Sequence, residues 1–125
     1  MTGGPATAVV LTVGNEIVTG DVENTNASWL ARRLGELGLE VVLVAAVRDS
    51  VDEIAEFLRA QMDRTAVVVV TGGLGGTPDD LTREAVAVAF DAPCEDVPEL
   101  SARLRDRFAG RGLGDYAARW ARLPR

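Results

Sequence analysis

Residues 67–84 read VVVVTGGLGGTPDDLTRE, and this stretch decides the fold. Four valines in a row form a short apolar run bounded by glycine, which is the pattern of a buried strand. Four glycines then fall within five positions, Gly72, Gly73, Gly75 and Gly76. Glycines directly after a strand let bare backbone approach an anion, often a phosphate. Asp79 and Asp80 follow at once, and carboxylates repel phosphate. A glycine cradle and paired acids in one loop suit a phosphate bound through a divalent cation. Mg²⁺ typically takes one or two carboxylates and completes its shell with phosphate oxygens and water. A structural alternative explains the acids equally well. Thr77-x-x-Asp80 has the form of a capping box, with Pro78 at the first helical position and both aspartates favourable in a first turn.

Working outward, two more apolar runs precede this one. AVVLTV (8–13) and EVVLVAAV (40–47) read as strands, and 66–71 as the third. None alternates with polar residues, as expected for strands covered on both faces. Between them lie segments of helical period. One runs from Ala27 to Leu37, with Leu30, Leu34 and Leu37 on one face, Asn26 as N-cap and Gly38 as stop. Another runs from Val51 to Met62, with Ser50 as N-cap and Ile54, Phe57, Leu58 and Met62 inward. A third starts near Pro78–Leu81 and reaches about Phe90. Later helices are expected around Glu99–Phe108 and Asp115–Leu123. The alternation β-α-β-α-β-α predicts a mainly parallel sheet in a three-layer α/β/α sandwich, formed by one domain over residues 1–125.

Composition narrows the chemistry. The chain has 125 residues, a net charge of −6, no His and one Cys, and all 13 basic residues are Arg. The absence of His excludes Ser-His-Asp and Cys-His catalysis and His-ligated metals. The absence of Lys excludes a P-loop. An acidic chain without a basic footprint is not expected to bind nucleic acid. No apolar run is long enough for a membrane span, and the N-terminus lacks the basic region of a signal peptide, so a soluble cytoplasmic protein is expected. The remaining tools are carboxylates, arginines, hydroxyls, backbone N–H groups and a hard cation such as Mg²⁺.

Parallel strands deliver their C-terminal ends to one edge, where open α/β sheets bind ligands. Gly14-Asn15-Glu16 follows the first strand, Arg48-Asp49 the second, and the glycine loop with Asp79-Asp80 the third. Each strand therefore brings at least one carboxylate to the same rim, and the three acids are expected to converge. Arg48 reads by default as a solvated side chain; Asn24 and Asn26 are candidate ligand contacts, and a cap alone is an equal reading of Asn26.

With these residues in view, the chain resembles the molybdopterin-binding domain of molybdenum cofactor biosynthesis proteins, the MoaB/Mog family. VGNEIVTGDVENTNASWLARRLGELGLEV, VRDSVDEI and TGGLGGTPDDLTREAV occur in order at the family's spacing. NTN at 24–26 and TGGLG…DDLT are most similar to the branch of competence/damage-inducible protein A. The resemblance implies a pterin or nucleotide as the small-molecule ligand, with Mg²⁺ on Glu16, Asp49 and Asp80. It places catalytic roles on Asp49 and Asp80, and ligand contacts on Thr71, Gly72, Gly73, Gly75, Thr82 and Asn26. It also implies a homo-oligomer, and a domain that in other members continues past the equivalent of Leu123. The competence branch is linked to cleavage of diphosphates such as ADP-ribose, which leaves a Mg²⁺-dependent pyrophosphatase and a non-catalytic binding module as alternatives.

Overall fold

A computed structural model describes residues 3–125. Three parallel strands form the sheet, β1 (Thr7–Val13), β2 (Glu40–Val47) and β3 (Val67–Thr71), in the order β2-β1-β3. The first strand in sequence is thus the central one. Its register sets Val10 opposite both Val44 and Val69, and Leu11 opposite Ala45 and Val70. A bulge between Ala8 and Val9 shifts the pairing with β2.

The helices are α1 (Asn15–Val18), α2 (Thr25–Glu36), α3 (Val51–Met62), α4 (Thr82–Phe90), α5 (Pro98–Phe108) and α6 (Gly114–Ala117). Leu11 and Val13 project towards α3 and α4, where they pack with Ile54, Leu58 and Ala85. The alternate residues of β1 face α2, and the Thr12 hydroxyl donates to Asn24 Oδ1 at 3.0 Å. Two layers of helix therefore enclose one sheet, as the sequence predicts.

Several boundaries differ from the sequence reading. The N-cap of α2 is Asn24, whose Oδ1 accepts from the Ala27 N–H at 3.3 Å, and Asn26 lies exposed inside the first turn. Asn24 is preferred because the same oxygen also takes the buried Thr12 hydroxyl. Ser50 caps α3 as expected, accepting from Glu53 N–H at 3.3 Å. The helix α4 begins at Thr82, four residues beyond Pro78. Part of the loop read as polar between β1 and α2 forms the single turn α1.

After α4 the chain builds a satellite against the sandwich. β4 (Cys94–Asp96) and β5 (Arg122–Pro124) pair antiparallel, with α5 and α6 between them in sequence. The last expected helix divides into α6, a 3-10 turn over Ala118–Ala121, and β5. Phe108 and Tyr116 both pack edge-on to Trp120, with ring centroids 5.4 and 6.0 Å away. No helix among the described residues is long and apolar enough to cross a membrane.

Candidate functional site

The C-terminal edge of the sheet gathers three loops. The first two are stitched together directly. Gly14 N–H donates to Val47 O at 3.0 Å, at the ends of β1 and β2. Beyond it, Asn15 N–H donates to Asp49 Oδ2 at 3.2 Å, and Asp49 N–H donates to Asn15 Oδ1 at 3.0 Å. Asp49 is thus half of a reciprocal pair that sets the spacing of the loops, and its Oδ1 lies outside that pair. Glu16 folds back over Gly14, where a Cβ would stand 2.7 Å from Glu16 Oε1. The Arg48 guanidinium clasps the Glu53 carboxylate, at 3.0 and 3.1 Å from Nε. That contact holds the partly exposed Glu53 carboxyl below its ordinary range.

The glycine loop is held differently. Gly72 and Gly73 have φ of 90° and 68°, a region costly for other residues. A Cβ on Gly72 would fall 2.2 Å from Val13 O, and one on Gly73 2.2 Å from Thr82 Oγ1. Gly75 admits Asp80, whose Oδ2 would lie 2.6 Å from a Cβ there. Gly76 lies flat against the satellite, with Tyr116 Cζ and Trp120 Nε1 at 3.1 and 3.3 Å from the equivalent point. Each glycine has a packing reason of its own. The anion-cradle reading is therefore not required to explain them, and the loop's shape is set from four directions.

Thr82 is buried, donating its hydroxyl to Gly72 O at 2.7 Å and its N–H to Gly73 O at 3.1 Å. It ties the loop to the first turn of α4. Asp80 Oδ2 accepts from Thr77 Oγ1 at 2.6 Å and Thr77 N–H at 3.0 Å. These bonds, with smaller help from Gly75 N–H and Arg83, hold the Asp80 carboxyl below its ordinary value. Asp80 thus stays charged to lower pH than a free carboxylate, and its hold on Thr77 weakens only as pH falls through that depressed value. The Thr77–Asp80 pairing foreseen as a capping box forms as a turn ahead of the helix. Asp79 is exposed, and Thr71 ends β3 partly exposed at the rim.

Among the described residues, no three acids stand close enough to hold a metal ion. Glu16, Asp49 and Asp80 therefore do not form an all-protein cage; Asp49 Oδ2 accepts from Asn15 and Asp80 Oδ2 from Thr77, and Oδ1 of each lies outside those bonds. The sequence could not show this, since both partners are ordinary polar loop residues. Sequence reasoning named Asn24 as a candidate ligand contact and missed its role as the cap of α2. The signal for that role was its place two residues before the expected cap.

A sequence pattern described as "Probable molybdopterin binding domain" matches residues 9–121. The chain belongs to that family. It is 44% identical over 112 residues to a CinA-like protein of Frankia casuarinae, covering 90% of this chain and 26% of the relative. Among solved structures, the CinA protein of Thermoplasma acidophilum superposes with a TM-score of 0.88 at 31% identity, over 98% of this chain and 72% of that one. The tungsten cofactor synthesizing protein MoaB of Pyrococcus furiosus shares the fold, with a TM-score of 0.63 at 24% identity, over 94% of this chain and 69% of that one. The chain spans about a quarter of the length of the CinA-like relatives it matches.

Proposed function

We propose that the C-terminal edge of the sheet binds a phosphorylated small molecule of the molybdopterin or nucleotide class, with Mg²⁺ between the ligand's phosphate and the loop acids. The observation that carries this reading is the family match over 9–121, since the three loops it spans meet at one edge of the parallel sheet. The donor set fits one mode of Mg²⁺ binding better than another. Asp49 and Asp80 each direct their hydrogen-bonded oxygen, Oδ2, at a neighbouring loop residue. Oδ1 of either is the atom that would reach a cation. One or two such carboxylates suffice when phosphate and water supply the other ligands, whereas an all-protein cage needs more. Thr71 and the backbone of Gly72, Gly73 and Gly75 would face the phosphate, Glu16 and Asn26 would border it, and Thr82 would hold the loop. Binding, rather than a named reaction, is what these observations support.

Calorimetric titration with a molybdopterin analogue, ADP-ribose and ATP, each with and without Mg²⁺, tests the reading. Asp80→Asn keeps the shape of the turn while removing the charge. Its stability cost is expected to be about 1 kcal/mol or less, and Mg²⁺-dependent affinity is expected to fall. Unaltered affinity in a folded variant would remove Asp80 from the site.

The proposal extends to assembly. Val42, Leu43 and Val44 of the edge strand β2 are exposed, as are Trp29 and Leu37 of the neighbouring α2 region. A second copy of the chain would cover this apolar surface, giving the homo-oligomer that the sequence resemblance implies.

A further inference from the structure

The outer flank of the glycine loop, turned to the satellite, carries a concentration of positive charge in an otherwise acidic chain. A cavity of about 190 Å³ lies there, bounded by Gly75, Gly76 and Thr77 and by three arginines, Arg83, Arg119 and Arg122. Asp80 and Glu84 complete its lining, so three guanidinium groups face two carboxylates, whereas the whole chain has 13 bases to 19 acids. The arginines arrive from separate parts of the fold. Arg83 is in the first turn of α4 and braces the loop, donating to Leu74 O and, at 2.7 Å, to Gly75 O. Arg119 sits in the 3-10 turn over Ala118–Ala121, its Cζ 5.6 Å from the Tyr116 ring, and has no carboxylate within 4 Å among the described residues. Arg122 begins β5 and reaches Asp96 only at 3.7 Å, an exposed pair of the kind that contributes little.

One further feature sets this place apart from a chance surface cluster. Gly76 lies against Tyr116 and Trp120, which fixes the distance between the loop and the segment bearing Arg119 and Arg122. A cavity with an unneutralised guanidinium, a loosely paired one and glycine backbone suits a tetrahedral oxyanion, which the guanidinium fork matches with two N–H donors.

We infer that this cavity binds a phosphoryl or diphosphate group, with Arg119 and Arg122 as its ligands. The inference rests on the reading of the glycine loop as a small-molecule site, and it extends that site to the Gly75–Thr77 flank, where a second phosphoryl group of the ligand would lie. Arg83 keeps the loop in place and Asp80 faces the same space, so Mg²⁺ is expected to strengthen binding rather than to be essential for it.

The test is calorimetric titration of inorganic phosphate, pyrophosphate and ADP-ribose into the protein, with and without Mg²⁺, repeated on Arg119→Gln and Arg122→Gln. Pyrophosphate is expected to bind without Mg²⁺, and each substitution to weaken it about tenfold. A matching loss for ADP-ribose identifies the group as part of a nucleotide, and a loss for the inorganic anions alone identifies a free-anion site. A phosphate-free pterin is expected to be indifferent to both substitutions. Retained pyrophosphate binding with no pterin binding would leave this inference standing and remove the pterin reading; the opposite pattern would do the reverse. Arg119→Gln also loses its contact with Tyr116, so thermal melts accompany each titration. If that variant does not fold, Arg122→Gln decides alone, because its side chain lies on the exposed two-stranded ribbon. Failure of pyrophosphate to bind the parent protein, or equal affinity in the folded variants, overturns the inference.

Discussion

The strands β1 and β2 have nearly the same apolar character and opposite fates. From Ala8 to Leu11, β1 is wholly buried, whereas Val42, Leu43 and Val44 of β2 are 51%, 38% and 47% exposed. Both read in the sequence as strands covered on two faces, and that expectation holds for β1 alone. The difference comes from order in the sheet. β1 lies between two partners and beneath helices on both sides, while β2 has a partner on one edge only. Apolar composition marks a segment as able to be buried, and topology decides whether this chain by itself buries it.

The register supplies matched positions for breaking the comparison. The largest expected effect is at Leu11, a fully buried side chain in the main cluster with Ile54 and Leu58. Leu11→Ala is expected to cost about 3 kcal/mol by urea denaturation, within the range for core leucines. A loss under about 1 kcal/mol would mean that the core yields around β1 and that the contrast with β2 is overdrawn.

Val10 and Val44 are directly paired, with Val10 fully buried and Val44 about half exposed. Val10→Ala is expected to cost about 2 kcal/mol, from two lost methylene equivalents and the cavity they leave. Val44→Ala is expected to cost less than about half of that at monomer concentrations. Equal losses would show that β2 is covered in solution, which sharpens the question of what covers it.

The smallest effect on stability is expected from Val44→Arg. A charge at a half-exposed edge position should change the stability of the monomer by about 0.5 kcal/mol or less. If a second copy covers β2, the same change should lower the mass measured by light scattering at micromolar concentration. An identical mass for parent and variant, at or above a dimer, would place the interface elsewhere.

The loops repeat the contrast at the candidate site. That Gly72 and Gly73 had to be glycines was legible in the sequence, and so was the kind of place they occupy, directly after a strand. What they touch was not, because Val13, Thr82, Tyr116 and Trp120 come from distant stretches of chain. Ser50 was correctly read as a cap because capping is settled within three residues. Asn26 was passed over for Asn24 because a buried hydroxyl twelve residues earlier, that of Thr12, decided the matter. The ribbon of β4 and β5 escaped notice because three-residue strands carry no periodicity.

The sequence alone determined the alternation of strand and helix, the parallel sheet that follows from it, and the delivery of three polar loops to one edge. These follow from local hydropathy period, from caps and from the handedness of crossovers, all of which act over short stretches of chain. Only the tertiary structure decided that β1 is central and β2 exposed, that Asp49 serves Asn15 and Asp80 serves Thr77, and that Arg119 and Arg122 stand beside the glycine loop. Those outcomes depend on contacts between residues tens of positions apart, and a hydrogen bond or a charge finds its partner only once packing has fixed the distance between them.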